Sequence, residues 1–363
     1  MDIRRRPIMI MAGGTGGHVF PALAVANYLR EQGEDIVWMG TRSGIESRLV
    51  PAEKFPIEWL SIEGLRGKGL AVLAMAPFKL LKACVEAMQL LRKHRPRAVL
   101  GMGGFASGPG GLMAWLMRIP LVIHEQNAII GLTNRLLSHI ARVNYFAFPQ
   151  AAQGVKRSVV VGNPVRRDIL QIEHPETRLS GREQQPLRVL VLGGSLGAKT
   201  LNDAIPAGIA LLDPQHRPLI RHQCGQRHLQ DCKNSYAGLQ LEADVIDFVE
   251  DMKAAYAWAD LVICRAGALT IAELAAAGVA SILVPFPYAV DDHQFYNAGY
   301  LAQADAAIVI RDNSFDAATV AQQLRHYLSQ REELIVMAKN ARKMALTEAT
   351  QQLAAGLLSE ALV

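Results

Sequence analysis

The sequence predicts an α/β protein of two doubly wound parallel-sheet domains facing a central cleft. Three observations carry this. Short apolar runs end in glycine-rich turns that open helical patterns, first at Ile8-Met9-Ile10-Met11 running into residues 12–18, AGGTGGH. The arrangement restarts at Leu187–Leu192, which enters Gly193-Gly194-Ser195-Leu196-Gly197-Ala198, so the second half begins as the first does. With 363 residues and 50% hydrophobic content, the chain has material for two cores of ordinary size.

Charge separates the halves. Residues 1–163 hold 20 Lys+Arg against 10 Asp+Glu, and the remainder holds 18 against 23. A basic first half fits an anionic membrane surface or a polyanionic substrate. Cys84, Cys224, Cys232 and Cys264 form no C-x-x-C pair and no zinc spacing, so they read as reduced thiols. The basic N-terminus precedes an apolar run too short for a signal peptide. Ala98–Met117 is uncharged, but six glycines and Pro109 within it argue for strand, loop and helix rather than a membrane span. A soluble cytoplasmic protein is expected.

In the first half, four glycines in Ala12–His18 let the backbone approach a ligand, and the following helix, with Pro21 near its first turn, offers a positive dipole end to an anion. The turn fails the G-x-G-x-x-G pattern because Val19 takes the last glycine position. Ile36–Met39 reads as a strand and Gly44–Val50 as a helix. Leu70–Arg95 mixes Leu73, Met75, Phe78, Leu80 and Leu81 with Lys79, Lys82, Arg92, Lys93 and Arg95, broken near Pro77. It reads either as a core helix with a basic edge or as an interfacial element on anionic lipid. Ala98–Gly101 is a strand entering a second glycine loop, 103–111. Leu121-Val122-Ile123 delivers His124-Glu125-Gln126-Asn127 at its carboxyl end, where open sheets bind ligands. Val159-Val160-Val161 closes this half, and the crossing is expected near Asn163 and Pro164.

The third glycine loop nearly matches a P-loop, with Lys199 and Thr200 in place but Ala198 where glycine belongs, so an NTPase stays open as a reading. Val245–Val249 and Leu261–Cys264 read as strands. The latter turns at Arg265–Gly267 into a helix that carries Glu273 one turn inside and stops at Gly278. Ser281–Val284 is a further strand, leading to Asp291-Asp292-His293-Gln294, and the last 30 residues read as helical.

The segments AGGTGGH (12–18), GMGGFASGPGG (101–111), HEQNAIIG (124–131), GNPVR (162–166), GGSLGA (193–198) and CRAGALTIAE (264–273) resemble the MurG family in order and spacing across essentially the whole chain. That family comprises peripheral membrane glycosyltransferases that add N-acetylglucosamine to lipid I in peptidoglycan synthesis. The resemblance implies the GT-B fold, two Rossmann-like domains: an acceptor and membrane domain, 7–163, with the C-terminal helix 341–363 packed back on it, and a UDP-GlcNAc domain, 164–340.

It also implies the site. Ser195 and Arg166 would contact the donor diphosphate, with the backbone of Ala268, Leu269, Thr270, Ile271 and Ala272 close by. Glu273 would bind the ribose, the main chain at Val249 the uracil, and Gln294 and Asn127 the sugar hydroxyls. Thr15, Gly16 and Gly17 would line the catalytic and acceptor side. Partners would be UDP-GlcNAc, the undecaprenyl-linked muramyl-pentapeptide acceptor, an anionic surface at the cytoplasmic face of the bacterial inner membrane, and cell-wall synthesis machinery. No cofactor, metal or nucleic acid is expected. Departures from the family are His293 before Gln294 where paired glutamines are usual, Phe105 for a common Tyr, and Leu196 for a common Gln. The expected chemistry is an inverting in-line displacement with His18 as base and Glu125 in reserve, the helix dipole and Arg166 stabilising the leaving UDP. A UDP-sugar epimerase of the same architecture is the alternative function.

Overall fold

In the computed structural model the described residues are 6–62, 75–182, 184–194 and 196–362. Ser195, and residues 70–74 of the apolar, basic segment, lie outside them. The chain divides into two compact units, 1–165 with 347–363, and 166–346.

The first unit is built on an all-parallel sheet of seven strands: β1 (Ile8–Met11), β2 (Ile36–Thr41), β3 (Ile57–Leu60), β4 (Ala98–Gly101), β5 (Leu121–Glu125), β6 (Val143–Phe146) and β7 (Ser158–Val160). Their order is β3-β2-β1-β4-β5-β6-β7. The second unit repeats the plan with β8 (Arg188–Leu192), β9 (Leu219–Gln223), β10 (Asp244–Ile246), β11 (Leu261–Cys264), β12 (Ala280–Leu283) and β13 (Ala307–Val309), ordered β10-β9-β8-β11-β12-β13. Both have the strand order of the dinucleotide-binding fold, reversing direction between β1 and β4 and between β8 and β11. Ligand crevices open at the carboxyl ends of strands at such reversals, and the glycine turns after β1, β4, β8 and β11 all fall there.

Central strands are covered on both faces, which is why they read as unbroken apolar runs. Ile8 and Ile10 of β1 face one core, with Leu100, Val19, Val25, Leu353 and Leu357; Met9 and Met11 face the other, with Val99, Ile123 and Leu91. The C-terminal helix Ala349–Glu360 therefore belongs to the first core, while the preceding helix Arg331–Lys343, which holds residues 341–343, belongs to the second unit. Gly356 makes this packing possible, since a β-carbon there would collide with the Tyr145 hydroxyl.

The apolar, basic segment differs from a core helix. Pro77 opens the helix Ala76–His94 rather than breaking it, as its missing N–H costs nothing in a first turn. That helix buries Ala83, Ala87 and Leu91, leaving Met75, Phe78, Leu80, Leu81 and Val85 exposed beside Lys79 and Lys82. Leu116 and Trp115, on the neighbouring helix Ser107–Leu116, are exposed as well, as are Leu132 and Leu136 on the helix Leu132–Leu137. Among the described residues, no helix is long and apolar enough to cross a membrane.

Candidate active site

In the first unit the helix after β1 begins earlier than Pro21 suggests. It spans Gly16–Glu31, so Gly16, Gly17 and His18 form its first turn, and Thr15 takes an extended conformation at the cap. The carbonyl of Thr15 accepts from the N–H groups of His18 and Val19. Gly14, at φ +94°, absorbs the change of direction that lets the helix start so soon. Pro21 is consequently inside the helix, and the Gly17 carbonyl has no i+4 N–H to accept.

A carboxylate unmarked by any motif holds this turn. Glu46 is fully buried; its Oε2 accepts from Gly14 N at 2.9 Å, and its Oε1 from Thr41 N at 3.0 Å and Thr41 Oγ1 at 2.7 Å. The second glycine loop lies directly against the first: Gly104 has φ +83°, and a β-carbon on it would collide with the Gly13 carbonyl. Ser107 ties the two together, its hydroxyl within reach of the carbonyls of Met11 (2.9 Å) and Gly103 (2.7 Å).

The carboxyl end of β5 completes this rim. His18 Nδ1 is 2.9 Å from Gln126 Oε1. His124 is wholly buried with Nε2 2.9 Å from the Gly162 carbonyl; burial pushes its pKa down to about 4, opposed by that hydrogen bond and assisted by nearby His18. Glu125 is committed to its own loop. Its Oε1 accepts from Asn127 N (3.0 Å) and Nδ2 (3.3 Å), and its Oε2 from Gly131 N (3.0 Å) and Asn134 Nδ2 (2.9 Å). Thr15, Gly16, Gly17, His18, Glu125 and Asn127 thus stand together at the ends of β1 and β5.

In the second unit the helix Ala268–Ala277 starts straight after β11, with Gly267 extended at its cap. Ala268, Leu269 and Thr270 contribute first-turn N–H groups, which point out of the helix end and suit an anion. Ile271, Ala272 and Glu273 follow. Glu273 is buried; its Oε2 accepts from Tyr256 Oη at 3.0 Å and its Oε1 from Arg166 Nη2 at 3.3 Å. Burial raises the Glu273 pKa, and Arg166 and the Tyr256 hydroxyl pull it back. Val249 lies in the turn after β10 beside the exposed Phe248. Gln294 opens the helix His293–Ala302 and accepts from Phe286 N at 2.9 Å through Oε1, which directs its amide nitrogen elsewhere. His293 bonds the Val290 carbonyl at 2.7 Å. Ser195 lies outside the described residues.

The sequence alone assigns no role to two groups here, Tyr256, outside every motif, and Arg265, within the turn at 265–267. Tyr256 is wholly buried on the helix Met252–Trp258. Arg265 spans the Val284 and Pro285 carbonyls and Asp312, which also accepts from Thr200 Oγ1. The P-loop reading fails on the geometry of its lysine: Lys199 reaches along its own helix to Asp203 at 2.6 Å, on an exposed face, and Thr200 is engaged by Asp312.

Two Rossmann-like units, one with a helix N-terminus beside a buried carboxylate and an arginine, give the two-domain architecture of the GT-B class. Residues 8–145 match the glycosyltransferase family 28 N-terminal domain, and residues 188–353 match the family 28 C-terminal domain. A protein of Methylococcus capsulatus, named as UDP-N-acetylglucosamine–N-acetylmuramyl-(pentapeptide) pyrophosphoryl-undecaprenol N-acetylglucosamine transferase, is 53% identical, covering 98% of this chain and 99% of that one. The relative of the same name in Nitrosococcus oceani is 50% identical over 96% of both. The crystal structure of Acinetobacter baumannii MurG superposes with TM-score 0.84 at 42% identity, covering 98% of this chain and 99% of that one. The chain belongs to the MurG family of glycosyltransferases. Its fold extends further, to UDP-GlcNAc 2-epimerase from Neisseria meningitidis, with TM-score 0.66 at 12% identity over 97% of this chain and 99% of that one. Architecture alone does not separate transferase from epimerase; full-length identity to the transferases does.

Proposed function

We propose that this chain transfers N-acetylglucosamine from UDP-GlcNAc to the 4-hydroxyl of the muramyl sugar of undecaprenyl-pyrophosphoryl-MurNAc-pentapeptide, converting lipid I to lipid II. The observation that carries the donor half is the buried Glu273 beside Arg166 at the start of the helix Ala268–Ala277. A carboxylate can accept both hydrogens of a ribose diol, and helix N–H groups next to a guanidinium suit the attached diphosphate. Ser195 joins that phosphate handle, the main chain at Val249 meets the uracil, and Gln294 and Asn127 hold the sugar hydroxyls.

The reaction is a single in-line displacement with inversion. His18 takes the proton of the 4-hydroxyl as that oxygen forms its bond to the anomeric carbon. The bond from that carbon to UDP breaks, UDP leaves with the electron pair, and Arg166 and the helix end meet the developing charge. Glu125 is the weaker base, since both its oxygens already accept hydrogen bonds inside a loop that they organise. Thr15, Gly16 and Gly17 border the acceptor.

The acceptor's lipid stays in the bilayer, so the first unit must meet the cytoplasmic membrane surface. Phe78 and Leu81, 68% and 64% exposed with Lys79 and Lys82 alongside, are the combination that reversible docking on anionic lipid requires. Partners in the cell-wall synthesis machinery fit the same location. Labelled GlcNAc transfer to a lipid-linked muramyl acceptor tests the whole reading. Sugar epimerisation of UDP-GlcNAc without acceptor, and no transfer with it, would overturn it.

A further inference from the structure

The starting point is His124, which is neutral at physiological pH because it is wholly buried with a pKa lowered to about 4. Its Nε2 faces the Gly162 carbonyl at 2.9 Å, and a carbonyl only accepts, so Nε2 carries the hydrogen and Nδ1 is bare. Gln126, itself buried, has its Nε2 3.3 Å from that bare nitrogen, 2.9 Å from the Met102 carbonyl and 3.3 Å from the His124 carbonyl. Every neighbour of the amide nitrogen is an acceptor. Turning the amide over would set its oxygen against all of them, so one orientation is enforced.

The amide oxygen is left facing a ring nitrogen. Gln126 Oε1 lies 2.9 Å from His18 Nδ1, which must donate. The second glycine loop closes on the same part of the ring, for a β-carbon on Gly103 would sit 2.9 Å from His18 Nδ1 and Cε1. We infer that Gln126 is a positioning residue that fixes the tautomer of His18, leaving Nε2 as the nitrogen that takes the acceptor's proton; the latter half rests on His18 being the base proposed above. The polarity runs one way, from the Gly162 carbonyl through His124 and Gln126 to His18. A structural glutamine would stabilise the turn without dictating where the His18 proton resides.

The test uses the full chain with 15N-labelled histidine, the His18 signals assigned by their absence in His18→Ala. Neutral His18 should be protonated at Nδ1 in the natural protein, a measurement that needs no variant in order to fail; protonation at Nε2 overturns the inference. Gln126→Met, close in size but unable to accept, should give mixed tautomers and lower kcat roughly 10- to 100-fold, a fraction of what a general base supplies, with KM for UDP-GlcNAc little changed. Gln126→Glu, whose acid form can donate to Met102 and accept from His18, should restore the Nδ1 tautomer and bring kcat to within roughly tenfold of the natural protein. An unchanged tautomer in Gln126→Met refutes the role of Gln126. A scrambled tautomer with kcat intact upholds that role and removes His18 as the base.

Discussion

Tyr256 donates its phenolic hydrogen to Glu273 Oε2 over 3.0 Å, and both side chains are buried. Burial raises the Glu273 pKa, while Arg166 and this hydroxyl oppose the rise. Holding ribose hydroxyls requires the ionised carboxylate, so donor affinity should be level at higher pH and fall as pH drops through the raised pKa. Tyr256→Phe removes one opposing group, so the fall should begin at a higher pH, with about 1 kcal/mol of UDP affinity lost at neutral pH. Calorimetric titration with UDP between pH 5 and 8 reads both effects, and an unmoved acid limb would contradict the contact's role.

Glu273→Ala removes the proposed ribose handle itself. UDP and UDP-GlcNAc should each bind more weakly by roughly 1.5 to 3 kcal/mol, the scale of hydrogen bonds to a charged group. Equal losses mean the contact is to the nucleotide; loss confined to the sugar nucleotide would reassign Glu273.

Each unit hides one neutral histidine. His124 in the first, and His222 in the second, bonded to Asn202 and Tyr236, are both pushed down to about 4 by burial. A depressed folded pKa gives stability that is complete above the unfolded value near 6.5 and is lost as pH falls towards 4. Each should cost about 2 kcal/mol at pH 5. Thermal melts at pH 7.5 and 5 should show the loss, and His222→Gln should reduce it.

Gly104→Ala should damage the two halves of the reaction unequally. The added methyl group meets the Gly13 carbonyl at a positive φ, so the first two glycine loops must separate at a cost of about 1 kcal/mol or more. Transfer should collapse, while UDP affinity, which the proposed function assigns to the second unit, should stay near normal by titration.

Lys79→Glu with Lys82→Glu should weaken binding to anionic vesicles by about 1 kcal/mol or more per reversed charge, and the natural protein's binding should decline with added salt. Activity on long-chain acceptor should drop while activity on a soluble short-chain acceptor persists. Equal loss on both would assign the helix a purely structural part.

Legibility followed burial. β1, β4, β5, β8 and β11 are covered on both faces and announce themselves as apolar runs, whereas β3, β6, β9 and β13 are short or mix in polar residues, as in Leu219-Ile220-Arg221-His222-Gln223, and carry no such signature. Glycine turns marked the rims because chain reversal there demands that residue. Glu46 and Tyr256 left no mark, and Gln126 showed only as one member of the cluster at 124–127, its role unread: each acts by meeting a partner brought to it by the fold, 32 residues away for Gly14, 108 for His18 and 17 for Glu273. His18, placed at a loop mouth by the sequence, belongs to a helix because Thr15 caps it ahead of Pro21.

The helix Ala349–Glu360 walls one side of the first sheet with Leu353 and Leu357, yet a ribosome makes it only after the entire second unit. At ordinary elongation rates the stretch 166–346 takes on the order of 10 to 40 s, during which Val19, Val25 and Leu100 await their cover. The unit made first is thus sealed last, its apolar core lacking one wall until the helix Ala349–Glu360 is made. A premature stop before residue 349 would remove a wall of that first unit and leave its core open for good.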